Sequence, residues 1–105
     1  MAGQGGWLSM ELDRKLAELI EKGEDILSKG VYSVFSLENL RAQTYEWESD
    51  IRAVYDVHPE IETVQEIINA GTKEPASQGS DFQNHIKAQK AYIERLLGAL
   101  RQFTN

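Results

Sequence analysis

The chain has 105 residues, 41% of them apolar, with 17 acidic and 11 basic side chains for a formal charge of −6, and no cysteine. That length holds one domain with a single modest core, and the missing cysteines exclude disulfides, thiol catalysis and thiolate metal sites and fit a reducing, cytoplasmic compartment. No apolar run nears the roughly 18 residues of a membrane span, and the opening Met-Ala-Gly-Gln-Gly-Gly lacks a signal peptide's basic start and apolar centre, so a soluble protein with no membrane partner is expected.

Residues 1–8, with Gly3, Gly5 and Gly6, read as a flexible lead-in to a single domain over 9–105. Ser9 then suits a helix N-cap, with Glu11 and Asp13 in the first turn. Apolar residues recur at Leu12, Leu16, Leu19, Ile20, Ile26 and Leu27, predicting an amphipathic helix over about 9–29 that Gly30 ends. Gly23 falls inside that stripe, where a missing side chain admits a close neighbour or a bend at a cost of about 1 kcal/mol relative to Ala. Val31 to Phe35 is β-branched and aromatic but has no strand to pair with, so an apolar connection packed on the core is expected.

Ser36 reads as the next N-cap, for a helix over about 36–56. Its apolar residues step by three and four through Leu37, Leu40, Thr44, Trp47, Ile51 and Val54, which is a helix-packing seam. His58-Pro59 breaks the helix, because the residue before proline is driven from helical geometry and proline suits a first helical position. A short helix over 59–70 follows, with Ile61, Val64, Ile67 and Ile68 on one side and Gly71 as its stop. Thr72 to Gly79 reads as a linker. Ser80 and Gln83 have the spacing of a capping box and open a last helix over 80–103. Its seam is Phe82, Ile86, Gln89, Ile93, Leu96, Leu100 and Phe103. The fold class expected is all-α, a three- to four-helix antiparallel bundle with the second and fourth helices as its central pair.

Each seam carries one polar interruption, Thr44 and Gln89, where a helical pair can fix its register or its partner. This pattern predicts a non-enzymatic interaction or oligomerisation module. Its working residues would be Thr44, Trp47, Ile51, Gln89, Ile93, Leu96, Leu100 and Phe103, and its partner a second copy or another protein. The acidic excess lies wholly before residue 67, and the remainder is slightly basic. A second reading is therefore an inhibitor that imitates nucleic-acid charge through Glu46, Glu48, Asp50 and their acidic neighbours. Nucleic-acid binding is disfavoured, since Lys87, Lys90, Arg95 and Arg101 make a thin counterion-release surface on an acidic chain.

No glycine-rich phosphate loop or nucleophile elbow occurs, and no cofactor is expected. His58 with Glu62 and Asp81 with His85 share helical spacing but lack a third ligand, so no metal site is expected. Arg52 and His58, six positions apart near a helix end, resemble the Arg-x4-6-His element of HEPN ribonucleases, with Ala53 where a polar residue is often found. That resemblance implies a dimeric ribonuclease in which His58 moves the proton and Arg52 holds phosphate charge. It is the third reading.

A broader pattern spans residues 10–103: Leu12-x3-Leu16-x2-Leu19-Ile20-x2-Gly23-x2-Ile26-Leu27, then the helix bearing Trp47, then a last helix with Gly98-Ala99-Leu100. It resembles the helical N-terminal accessory domains of bacterial antiphage effectors, including some with TIR-like domains. The resemblance implies a recruiting or oligomerising module without activity of its own, an adaptor in bacterial antiviral defence.

Overall fold

A computed structural model describes residues 2–71 and 82–104, with side chains from Met10 onward. It is an all-α bundle of α1 (Ala2–Ser28), α2 (Val34–Val57), α3 (Glu62–Ala70) and α4 (Phe82–Gln102), with a 3-10 turn at Pro59–Ile61 before α3. The linker read at Thr72 to Gly79, and Ser80 of the expected capping box, lie outside the described residues.

The helix starts differ from the sequence expectation at two places. α1 begins at Ala2, so Ser9 is a helical residue rather than a cap, and residues 2–8 carry helical backbone where a flexible lead-in was expected. Once the packed stretch from Leu12 is helical, each further residue adds a hydrogen bond without a new nucleation cost, which carries the helix through glycine. α2 is capped by Ser33, whose backbone is extended at φ −154 and whose hydroxyl accepts from the Ser36 amide. Ser36 is therefore the third helical residue, and its own hydroxyl oxygen accepts from the Ser33 amide. Starting α2 at Val34 turns Val34 and Phe35 outward in its first turn. Of the connection expected to pack on the core, Val31 alone does so.

Ser28 and Val34 are joined by five residues, too few to carry the chain back along the roughly 36 Å of α2, so α1 and α2 run antiparallel, bridged by Trp47 to the Leu19 carbonyl and by Lys22 to Asp50. Glu24 pairs with Arg101 near the C-terminal ends of α1 and α4, so those two run the same way. α1 packs extensively on both α2 and α4, whereas α2 and α4 meet over a much shorter stretch and α3 packs against both. The central element is thus α1, not an α2–α4 pair.

Gly23 explains that arrangement. A Cβ there would lie 2.7 Å from Leu97 Cδ2 and closer still to the Trp47 ring. The missing methyl is the notch in α1 that takes the fully buried indole, and Trp47 Nε1 donates to the Leu19 carbonyl at 2.8 Å. A large aromatic that also satisfies its N–H is worth several kcal/mol in a core. At the other end His58, before Pro59, leaves helical geometry at φ −126 and ψ 76, and Gly71 ends α3 at φ 73.

Candidate interaction surface

The seam residues are inside this one chain. Trp47, Ile51, Ile93, Leu96 and Leu100 have no exposed surface, Thr44 and Gln89 are buried polar residues in the same core, and Phe103 is half-buried against it. Both seams close mainly on α1, which leaves them no face for another molecule. Thr44 Oγ1 donates to the Leu40 carbonyl at 2.7 Å, so its polarity is spent on its own helix rather than on a neighbouring one.

Several of the acidic residues are engaged within the chain. Lys22 binds Asp50 at 2.6 Å and Arg41 binds Glu38 at 2.7 Å, while Arg101 holds Glu24. Glu48 accepts the Tyr92 hydroxyl from α4. Burial of that phenol, together with the hydrogen bond to Glu48 and its charge, pushes the Tyr92 pKa well above the ordinary tyrosine value, against the lowering effect of Arg52 and Arg95. Arg95 lies over the same ring, 5.8 Å from its centroid. Glu48 is therefore a clip between α2 and α4. Of the three acids expected to imitate phosphate, only Glu46 is exposed without one of these bonds.

Arg52 and His58 differ in their surroundings. Arg52 is exposed and its charge acts on Tyr92. His58 is buried at 6% exposure, its Nδ1 3.7 Å from Glu60 and its Nε2 enclosed without a hydrogen-bond partner among the described residues. A proton-transferring imidazole must reach the substrate, and this one has little exposed surface at the end of α2. Among the described residues no three His, Asp or Glu side chains gather as a metal-binding group. None of the described helices is long and apolar enough to cross a membrane.

What the bundle does present is apolar surface on the outer side of α2. Tyr32 is 90% exposed, Phe35 84%, Val34 66% and Tyr45 65%. By helical period Val34 and Tyr45 lie about three turns apart on one line, and Phe35 and Ala42 about two turns apart on the line beside it. Ala42 is also exposed. The turn that carries the first three is held rigidly. Ser36 Oγ accepts from the amides of Tyr32 at 2.8 Å and Ser33 at 2.9 Å and donates to the Ser33 carbonyl. The Tyr32 ring folds back over Gly30, where a Cβ would collide with it. In the sequence Tyr32, Phe35 and Tyr45 count as apolar residues beyond the seams, a surplus that points to oligomerisation, but periodicity does not show that they gather on one face. The available signal was that Tyr45 and Phe35 fall off the Leu37–Val54 line.

No family model matches the chain, and neither a curated protein nor a solved structure is significantly similar to it.

Proposed function

We propose that this chain is a non-enzymatic protein–protein interaction module whose docking face is the outer side of the N-terminal half of α2 with the turn before it. One observation carries the proposal: Tyr32, Val34, Phe35 and Tyr45 stand exposed on a segment fixed by the Ser33–Ser36 capping box. A monomer exposes apolar patches of this size at functional surfaces. Aromatics already held in one geometry lose little entropy when a partner covers them, which is what makes them binding anchors. The cytoplasm, indicated by the cysteine-free composition, and an adaptor role in bacterial antiviral defence, implied by the resemblance to antiphage accessory domains, complete the proposal.

The test is site-specific photo-crosslinking in cells, with a benzophenone side chain placed at Ala42 on this face or at Glu94, exposed on α4. A discrete protein adduct from position 42 and none from position 94 is expected, lost when Phe35→Ser is added. Equal adducts from both positions, or none from position 42, would overturn the proposal.

A further inference from the structure

We infer that the α2 face pairs with the same face of a second copy, through a two-fold antiparallel crossing of α2 on α2 centred between Glu38 and Ala42. This inference rests on the docking face proposed above and names its occupant.

A two-fold axis midway between Phe35 and Tyr45 brings the two exposed aromatics of the helix together. An antiparallel two-fold pairing centred there sets Phe35 of each copy against Tyr45 of the other. It also sets Ala42 against Glu38, with the small alanine side chain next to the axis where two helices approach most closely. A two-fold interface requires this kind of match, since one surface must serve as both halves. Aromatic pairs of this sort add to what their buried area provides. Glu38 is paired within its own chain with Arg41 at 2.7 Å, so the carboxylate nearest the axis already has a partner, while Glu46 of each copy comes to lie against Val34 of the other at the rim.

The area also fits. Three aromatic side chains at 65% to 90% exposure and a valine at 66% present on the order of 500 Å² per chain. Two-fold pairing buries at most about twice that in apolar surface, the size of a weak and transient interface. The expected dimer is therefore reversible and forms at micromolar or higher concentration. The charge of −6 on each copy opposes association, while the aromatic pairs at the contact are apolar. Salt screens the repulsion and leaves the contact, so the dimer tightens as ionic strength rises.

Sedimentation velocity on the purified full chain over a wide concentration range, at low and high salt, tests this. Expected is a monomer–dimer equilibrium that strengthens with salt and weakens at least about tenfold in Phe35→Ser/Tyr45→Ser. Both side chains are exposed, so circular dichroism should show that the double variant keeps its helices. The chain has no cysteine, so Ala42→Cys offers a single thiol for a short bismaleimide, which should give a covalent dimer where Glu94→Cys does not. A monomer under all conditions, a dimer that survives the double substitution, or a dimer that weakens with salt would each overturn the inference. A monomer in sedimentation together with an adduct to a different protein from position 42 in cells would defeat self-pairing and leave the docking face standing.

Discussion

Gly23→Ala is the sharpest perturbation of this fold, because helix propensity and packing predict opposite signs for it. In a helix interior alanine is favoured over glycine by about 1 kcal/mol, so a reader of the sequence alone would expect stabilisation. The added methyl, however, would lie 2.7 Å from Leu97 Cδ2 and nearer still to the six-membered ring of Trp47. Both neighbours are buried at 0–1% exposure, and a planar indole cannot fold aside as a long flexible chain can. Overpacking of this kind costs about 1–3 kcal/mol. If the indole withdraws instead, its N–H loses the Leu19 carbonyl and the buried donor costs a further 1–3 kcal/mol or so. Set against the gain of about 1 kcal/mol in helix propensity, the net expectation is a loss of about 1–2 kcal/mol, or roughly 5–15 °C in melting temperature for a domain of this size. Gly98→Ala is the matched control: Gly98 is also interior to a helix, but a Cβ there meets nothing within 4 Å. It should gain up to about 1 kcal/mol. Thermal and urea unfolding followed by far-ultraviolet circular dichroism reads both. A Gly23→Ala protein as stable as the parent, or shifted like Gly98→Ala, would refute the view that this glycine is the socket for Trp47.

Two further outcomes follow from the polar groups of the core. Tyr92→Phe should cost about 1–2 kcal/mol by deleting the bond to Glu48 and leaving that half-buried carboxylate short of a partner. Because the folded-state pKa of Tyr92 is raised above its ordinary value of 10.0, the folded protein holds this proton more tightly than the unfolded chain. The stabilisation is complete below about pH 10 and is lost as pH rises toward the folded-state value; urea titrations from pH 8 to 11 should show a decline in the parent that is shallower in Tyr92→Phe, and parallel curves would contradict this. Gln89→Leu should raise stability by about 1 kcal/mol by taking an amide out of an apolar core. It should leave the sedimentation behaviour unchanged, since Gln89 is 4% exposed; a lower melting temperature or an altered mass would show that its amide does work the fold does not reveal.

The helices were legible because their signals are local. The three- and four-residue steps from Leu37 to Val54 and from Ile86 to Leu100 mark one buried face each, and those residues are buried. His58-Pro59 and Gly71 stop the chain where backbone constraint requires. The misplaced α2 cap has a local cause too. Ser33 and Ser36 are both capping residues three apart, and their reciprocal bonds make the earlier one the cap. Tyr92 and Leu97, each at 1% exposure, were missed as core because a single seam was drawn on α4. A helix packed against both α1 and α3 needs a wider apolar arc than a two-partner seam supplies.

What a seam cannot encode is whose helix fills it. The heptad-like lines on α2 and α4 read the same whether they close on each other, on another chain, or on a third helix of their own, because periodicity specifies a face and leaves its occupant open. Here the occupant is α1, and the residue that decides it carries no side chain at all: Gly23 opens the space that lets the Trp47 ring lie against α1 with Leu97 beside it. Once that socket is filled, the polar interruptions lose their meaning as partner codes. Thr44 turns to its own backbone, and the residues free to recognise another molecule are the ones the seam excludes. Tyr45 and Phe35 are apolar without being periodic with Leu37, Leu40 and Trp47, and such residues carry no burden of folding. An aromatic that the core does not need, held at 84% exposure in the first turn of a capped helix, is where a binding surface can be set without changing the bundle beneath it.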